Sequence, residues 1–292
     1  MPVKRGSISW DIIVELIAYS YALSALHDGG DSRNRCNRGE LMFRTILVGI
    51  RGVTLPEELR RVLWRVAGLY RSRVIVAEVR DPDVDSSLQT DSHAASAKQR
   101  GNENPLVTVV VLSGQFVQSL CDKGHEADVI VVLADDLTDV RDSRSTEMVA
   151  EIVRQAPRPI WIGRKPYQMP EHIVVAYDGS SHSCRALHLG ANLAETLGAR
   201  LTVLNVNESR DQVAQELVLS RAASYCEPYR MTMERVGLFG TAAATIQAFT
   251  SSHACDLLIV GAAGVGYLRG LLFGSVTGQL ITSVACSVLV AK

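Results

Sequence analysis

From residue 172 onward, apolar runs of strand length alternate with segments of helical period, the order expected of a parallel sheet covered by helices. IVVAY, 173–177, is a strand. DGSS then leads through an N-cap serine into a helix over about 182–197, which Gly198 ends. LTVLNV supplies a second strand, a polar helix spans about 211–224, and MTMERV, 231–236, is a third strand. An alanine-rich helix covers about 241–253, and DLLIVGA, 256–262, is the fourth strand. SVTGQLITSVA places Val276, Leu280 and Val284 at helical spacing, and SVLVAK closes the unit with a fifth strand.

The first half repeats this order. TILVGI (45–50), a helix near 56–69, VIVAEV (74–79), LVTVVVL (106–112), a helix near 115–123 and DVIVVLA (128–134) follow one another. Residues 128–163 lie against 256–291 without a gap at an offset of 128, so that Asp128 matches Asp256, Val132 matches Val260, and IWI (160–162) matches VLV (288–290). Such self-similarity is the mark of an internal duplication. The expected fold class is therefore α/β: two tandem open five-stranded parallel sheets with helices on both faces, preceded by an N-terminal helix. The domains are 1–40 (helix and linker), 41–165 and 171–292, with the boundary between the copies near Pro166 to Pro170.

Two polar stretches interrupt the pattern. GGDSRNRCNRGE, 29–40, reads as a linker, and residues 81–105, nearly free of large apolar side chains, are expected to be mobile. ISWDIIVELIAYSYALSAL, 8–26, is apolar, but Asp11 and Glu15 interrupt it and it lacks a basic leader. It is read as an amphipathic helix packed on the protein, not as a membrane span or signal.

Composition narrows the function classes. The chain has 292 residues, 47% hydrophobic and 21% charged, which suits a globular protein of two domains. With 30 basic against 31 acidic residues, net charge −1, nothing points to a nucleic-acid backbone as partner. The six cysteines lack Cys-x-x-Cys spacing and mostly sit in apolar stretches, which reads as reduced thiols in a cytoplasmic protein. If one thiol is reactive, Cys184 beside Arg185 is the candidate. The histidines form no cluster with metal-ligand spacing.

The chemistry gathers after the fourth strand. GAAGVGYLRGLLFGSVT sets Gly261, Gly264, Gly274 and Ser275 in the spacing Gly-x2-Gly-x9-Gly-Ser, from a strand's carboxyl end to a helix's amino end. Parallel sheets bind ligands at that end, and a helix N-terminus offers unpaired N–H groups to an anion. Glycine allows backbone to approach a phosphate closely, and the serine hydroxyl adds a hydrogen bond. Glycines that merely make a surface turn are the plain alternative.

IVVAYDGSS, LTVLNV and DLLIVGAAG…GSVT…SVLV together resemble the universal stress protein family over 172–292. The resemblance implies ATP, with Mg2+, lying across the carboxyl ends of the strands. It places Asp178 against the nucleoside, Val206 and Val260 beside adenine, and Gly261, Gly264, Gly274, Ser275 and Val276 along the phosphates. Asp178 also fits a plain Asp-Gly turn, and both valines fit ordinary strand positions.

The first copy departs from this pattern. The same offset puts Leu133, Asp136, Thr146 and Glu147 where the second has Gly261, Gly264, Gly274 and Ser275, and Arg51 replaces Asp178. Two carboxylates would repel phosphate, so this copy is expected not to bind ATP that way. Its expected role is pseudo-dimer partner, joined through the last strands, and whole chains are expected to form a homodimer. The function expected is an ATP-binding stress-response regulator acting on a protein partner that the sequence does not identify, not an enzyme. The loop lacks the acidic residue or histidine that phosphoryl transfer needs. A slow ATPase, a self-phosphorylating protein and a nucleotide-free scaffold are the alternatives.

Overall fold

A computed structural model describes residues 42–51, 55–80, 106–137, 145–262 and 276–292. The expected N-terminal helix, the 29–40 linker and the 81–105 segment lie outside the described residues.

In the first half the chain runs β1 (Thr45–Ile50), α1 (Glu57–Tyr70), β2 (Arg73–Arg80), β3 (Val107–Ser113), α2 (Phe116–Gly124), β4 (Val129–Leu133), a helical turn at Ala134–Leu137, α3 (Ser145–Gln155) and β5 (Ile160–Gly163). The second half runs β6 (His172–Ala176), α4 (Ser181–Leu197), β7 (Arg200–Asn207), α5 (Gln212–Cys226), β8 (Met233–Phe239), α6 (Ala242–Ser252), β9 (Leu257–Gly261), α7 (Val276–Ser283) and β10 (Ser287–Ala291). The third strand of this half starts two residues later than its sequence suggests and continues through Gly237 to Phe239. A glycine normally weakens a strand, but here the Gln215 side chain lies over Gly237 and needs that bare backbone.

The two expected sheets are halves of one, in the order β3-β2-β1-β4-β5-β10-β9-β6-β7-β8. Neighbours pair in parallel within each half, and β5 and β10 pair antiparallel between them. Trp161 faces Leu289, its own equivalent at the offset of 128, while Ile160 faces Val290 and Ile162 faces Val288. A pseudo-two-fold axis therefore passes through the Trp161–Leu289 pair, normal to the sheet. The carboxyl ends of the two sets of strands consequently point to opposite edges of the molecule.

Central strands such as β1, β4 and β9 are apolar without alternation because helices cover both faces. On one face α1, α4 and α5 enclose a layer containing Val48, Leu63, Val175, Leu187 and Leu289. On the other, α2, α3, α6 and α7 enclose Leu47, Leu120, Ile152, Leu258 and Ile281. Both layers run across the seam. In the first, the Tyr70 hydroxyl donates to Asn192 Oδ1 at 2.8 Å, joining α1 to α4.

Polar clamps repeat with the duplication. The Thr45 N–H donates to Asp128 Oδ2 at 2.8 Å, and the His172 N–H to Asp256 Oδ2 at 2.9 Å, so each carboxylate anchors the first residue of its half's first strand. Across the seam, Arg164 Nη2 donates to the Ile281 carbonyl and Lys292 Nζ to the Val153 carbonyl. Both donors and both acceptors are related by the same offset of 128. Each cation meets a carbonyl in the last turn of a helix, where intrahelical partners run out and the helix dipole favours positive charge.

The seam gives a first expectation. Leu289→Ala removes fully buried apolar volume from it and should cost about 2–5 kcal/mol in a denaturant titration. Both halves should still unfold in one transition, because both core layers cross the seam.

A second concerns pH. His172 is buried, its Nδ1 2.9 Å from the His253 carbonyl and its Nε2 2.8 Å from the Thr202 hydroxyl, which fits a neutral ring that donates from Nδ1 and accepts at Nε2. Burial holds its pKa below the ordinary histidine value despite the opposing bond from the His253 carbonyl. A histidine with a lowered folded pKa contributes stability above its unfolded value of about 6.5 and loses it as pH falls below that. The denaturation midpoint should drop between pH 7.5 and 5, and the drop should shrink in His172→Gln.

Candidate functional site

Strand order locates the crevice. In the second half β6 lies between β9 and β7, and the chain leaves β6 for α4 on one face of the sheet while α7, next after β9, covers the other. Such a reversal opens a cleft beyond the strands' carboxyl ends. Asp178 stands at that end of β6, in an exposed turn whose Gly179 has φ 82°. Asp178 Oδ1 accepts the Ser180 N–H at 2.9 Å, and Ser180 Oγ caps α4 by accepting the Ser183 N–H at 3.2 Å. Burial would raise the Asp178 carboxyl, but hydrogen bonds from Ser180 and Ser183 outweigh it and hold the group below the ordinary aspartate value. The turn role foreseen as the plain alternative is thus present, and it keeps an anionic carboxylate at the mouth of the cleft.

Gly261, at the end of β9, faces the first turn of α4. A Cβ there would sit 2.6 Å from the His182 carbonyl carbon and 2.8 Å from its oxygen. The need for glycine at this position is therefore satisfied by helix packing alone. The Thr277 hydroxyl donates to the Gly261 carbonyl at 2.8 Å and fastens the start of α7 to the end of β9. Val276, the first residue of α7, is 36% exposed. Val206 is half-buried on β7, whereas Val260 is only 3% exposed, so most of its side chain already belongs to the core. Gly264, Gly274 and Ser275 lie outside the described residues.

The bracing beneath the cleft was not foreseen. Buried Asn205, on β7, donates from Nδ2 to the Tyr177 carbonyl at 2.7 Å. Gln215 donates from Nε2 to the Leu238 carbonyl at 2.9 Å, with the Asn205 carbonyl at 3.4 Å. These two amides tie together the carboxyl ends of β6, β7 and β8 with α5. The signal available in the sequence was Gly237, a glycine inside a strand, which marks close approach by another group.

The corresponding place in the first half is filled. Ala134–Leu137 folds as a helical turn directly after β4, with Leu137 fully buried. Asp136 accepts the Arg51 N–H at 3.2 Å, and the Arg51 guanidinium lies over the Phe116 ring, 4.9 Å from its centre. Burial raises the Asp136 carboxyl, partly offset by the Arg51 N–H and charge. The pair that replaces the second half's aspartate and glycine thus bonds to itself. Thr146 lies in the first turn of α3, as does Glu147.

Comparison with known proteins agrees with this architecture. The profile of the universal stress protein family matches residues 169–225 and 213–292. A universal stress protein of Thermus aquaticus is 30% identical over 136 residues, which cover 97% of its length and 41% of this chain. The chain belongs to the universal stress protein family. A second member, from Synechocystis sp., is 28% identical over 138 residues, 47% of this chain, and the match spans only about half of that relative, 48%. A crystal structure of a universal stress protein from Archaeoglobus fulgidus DSM 4304 superposes with a TM-score of 0.62 at 16% identity, covering 85% of this chain and 96% of the other. A putative universal stress protein from Pseudomonas aeruginosa gives 0.58 at 16% identity over 86% and 93%. These superpositions extend over both halves and establish the fold. The family's sequence pattern, by contrast, is matched in the second half. No helix among the described residues is long and apolar enough to cross a membrane.

The close approach at Gly261 is testable. Gly261→Ala forces α4 from the end of β9 and should cost about 1–3 kcal/mol, measured by denaturant unfolding in the absence of any ligand.

Proposed function

We propose that the second half is an ATP-binding regulatory unit and that the first half is its tethered, nucleotide-free dimer partner. The observation that carries this is the difference between the described residues at the two pseudo-equivalent strand ends. In the first half Arg51, Asp136 and the 134–137 turn occupy the place themselves. In the second half the same place is bordered by an exposed carboxylate, a half-buried valine and a bare glycine that leads into a glycine-rich segment.

Each residue then has a job suited to its chemistry. Asp178 accepts from the ribose hydroxyls, and Val206, with the backbone at Val260, borders the adenine. Gly261, Gly264, Gly274, Ser275 and the N–H of Val276 receive the phosphates, with Mg2+ offsetting their charge. Nucleotide occupancy changes affinity for a protein partner, in a cytoplasmic stress response without catalytic turnover as its main task. A homodimer of whole chains would use surfaces other than β5 and β10, which the internal seam already occupies.

Calorimetric titration of ATP with magnesium tests the assignment, alongside mass spectrometry of small molecules released from the purified protein. One ATP per chain is expected, abolished by Gly264→Asp and weakened about tenfold or more by Asp178→Ala. Asp136→Ala, in the filled cleft, should leave the affinity unchanged. If the wild-type chain neither carries nor binds adenine nucleotide, the assignment fails and a scaffold role replaces it.

A further inference from the structure

The other edge of the second half, at the amino ends of β9 and β10, holds a cavity of about 260 Å³ whose walls include Trp161, Arg164, Cys255, Asp256, Cys286 and Ser287. Continuing the antiparallel register beyond Val288–Ile162 sets Cys286 directly opposite Arg164. The register of β10 on β9, Ser287 on Leu257, brings Cys286 level with Asp256 and next to Cys255. The Arg164 N–H donates to Ser287 Oγ at 3.1 Å, which fixes the arginine beside this corner. Its Nη2 is engaged by the Ile281 carbonyl, whereas its Nη1 is buried without a hydrogen-bond partner. At the pseudo-equivalent position the clasp is Lys292, an ammonium with no second nitrogen to place. The guanidinium thus brings an unspent donor to a cavity that also contains two thiols.

The thiols are not alike. Cys255 is buried, whereas Cys286 is partly exposed; both belong to the same core layer and both line the cavity. The neighbouring Cys255 thiol is the largest influence lowering the Cys286 pKa. Burial opposes it, and the N–H groups of Cys286 and Leu258 and the Arg164 charge reinforce it, so that the net shift is downward. Proximity to Cys286, with burial, pushes Cys255 far up. Cys286, the more exposed thiol and the one opposite Arg164, is thus the better placed of the two to act as a thiolate.

We propose that Cys286 and Cys255 form a peroxide-sensitive dithiol, with Cys286 as the attacking sulfur, Arg164 as its positioning cation and Cys255 as the resolving thiol. The Cys286 thiolate attacks one oxygen of hydrogen peroxide. An S–O bond forms, the O–O bond breaks, and hydroxide leaves. The Cys255 sulfur then attacks the Cys286 sulfenic acid, forming the S–S bond and expelling the hydroxyl, while the Cys255 proton ends in water. In sum, two thiols lose two electrons to one peroxide and yield one disulfide and two waters. Cys255 precedes β9 and Cys286 precedes β10, and both side chains lie in the same core layer beside the same cavity, as a disulfide between them requires. The exposed Cys184, which sequence alone favours as a reactive thiol, lies on α4, away from this corner.

The test treats the full chain, bearing Cys184→Ser to silence that thiol, with one equivalent of hydrogen peroxide. Free thiols are then blocked, and peptides are mapped by mass spectrometry. A Cys255–Cys286 disulfide is expected. In the additional variant Cys255→Ser, a sulfenic acid on Cys286 should be trapped by dimedone. Arg164→Met should slow thiol loss about tenfold, and Arg164→Lys, whose single nitrogen the Ile281 carbonyl takes up, should restore the positive charge but only a minor part of the rate. Circular dichroism checks that each variant is folded. The proposal is overturned if Cys286 stays fully alkylatable after peroxide, if it oxidises without joining Cys255, or if a folded Arg164→Met chain reacts at the parental rate.

Discussion

The structure depends on the antiparallel contact between β5 and β10. Each half by itself would end in an edge strand that is apolar on both faces, IWIG in one and SVLVA in the other, with a row of unpaired backbone donors and acceptors. Pairing the two edges removes both liabilities at once. The duplication makes the pairing nearly self-complementary: Trp161 meets its own equivalent Leu289, and Arg164 and Lys292 reach carbonyls of α7 and α3 in matching fashion. Two core layers then run uninterrupted over ten strands, reinforced by the Tyr70–Asn192 bond between first helices.

That symmetry has a functional corollary. Because the halves are antiparallel, their ligand-side edges face opposite ways, and neither cleft can borrow residues from the other across the seam. Each must be complete within its own half. The duplicate was therefore free to diverge at its cleft while keeping its seam. Arg51 and Asp136 close the first cleft with a backbone hydrogen bond and a cation–ring contact, and the outer helices and the β5 contact are unaffected. The divergence is local because the seam residues, which hold the sheet together, lie on other strands.

The same asymmetry recurs at the seam itself. Arg164 and Lys292 perform one structural task, yet the guanidinium has a nitrogen left over, and the ammonium sits near Cys121, with no second thiol beside it among the described residues. On the Arg164 side, the neighbours are Cys255 and Cys286, the second directly opposite the arginine, and all three line one cavity. A clasp required by the fold thus stands where a thiolate can use its remaining charge, on the edge opposite the glycine-rich segment.

The amino-acid order by itself determined the α/β class, the duplication at an offset of 128 and nearly every strand, because buried strands must be apolar and a repeat preserves its spacing. The family resemblance, not the residue order alone, named Asp178, Val206, Val260, Gly261 and Val276 as site residues; they stand at or just beyond the carboxyl-terminal parts of β6, β7 and β9, and Gly264, Gly274 and Ser275 lie outside the described residues. Tertiary structure alone decided that Gly261 is demanded by the His182 backbone, that Asn205 and Gln215 brace the cleft floor, and that the third strand of the second half runs on past Gly237. The joint between last strands was already implied by the family resemblance; tertiary structure alone fixed its antiparallel register and set Arg164 against Cys286. These facts depend on distances between residues remote in sequence, and pattern and propensity record only which face a side chain takes, not what meets it there.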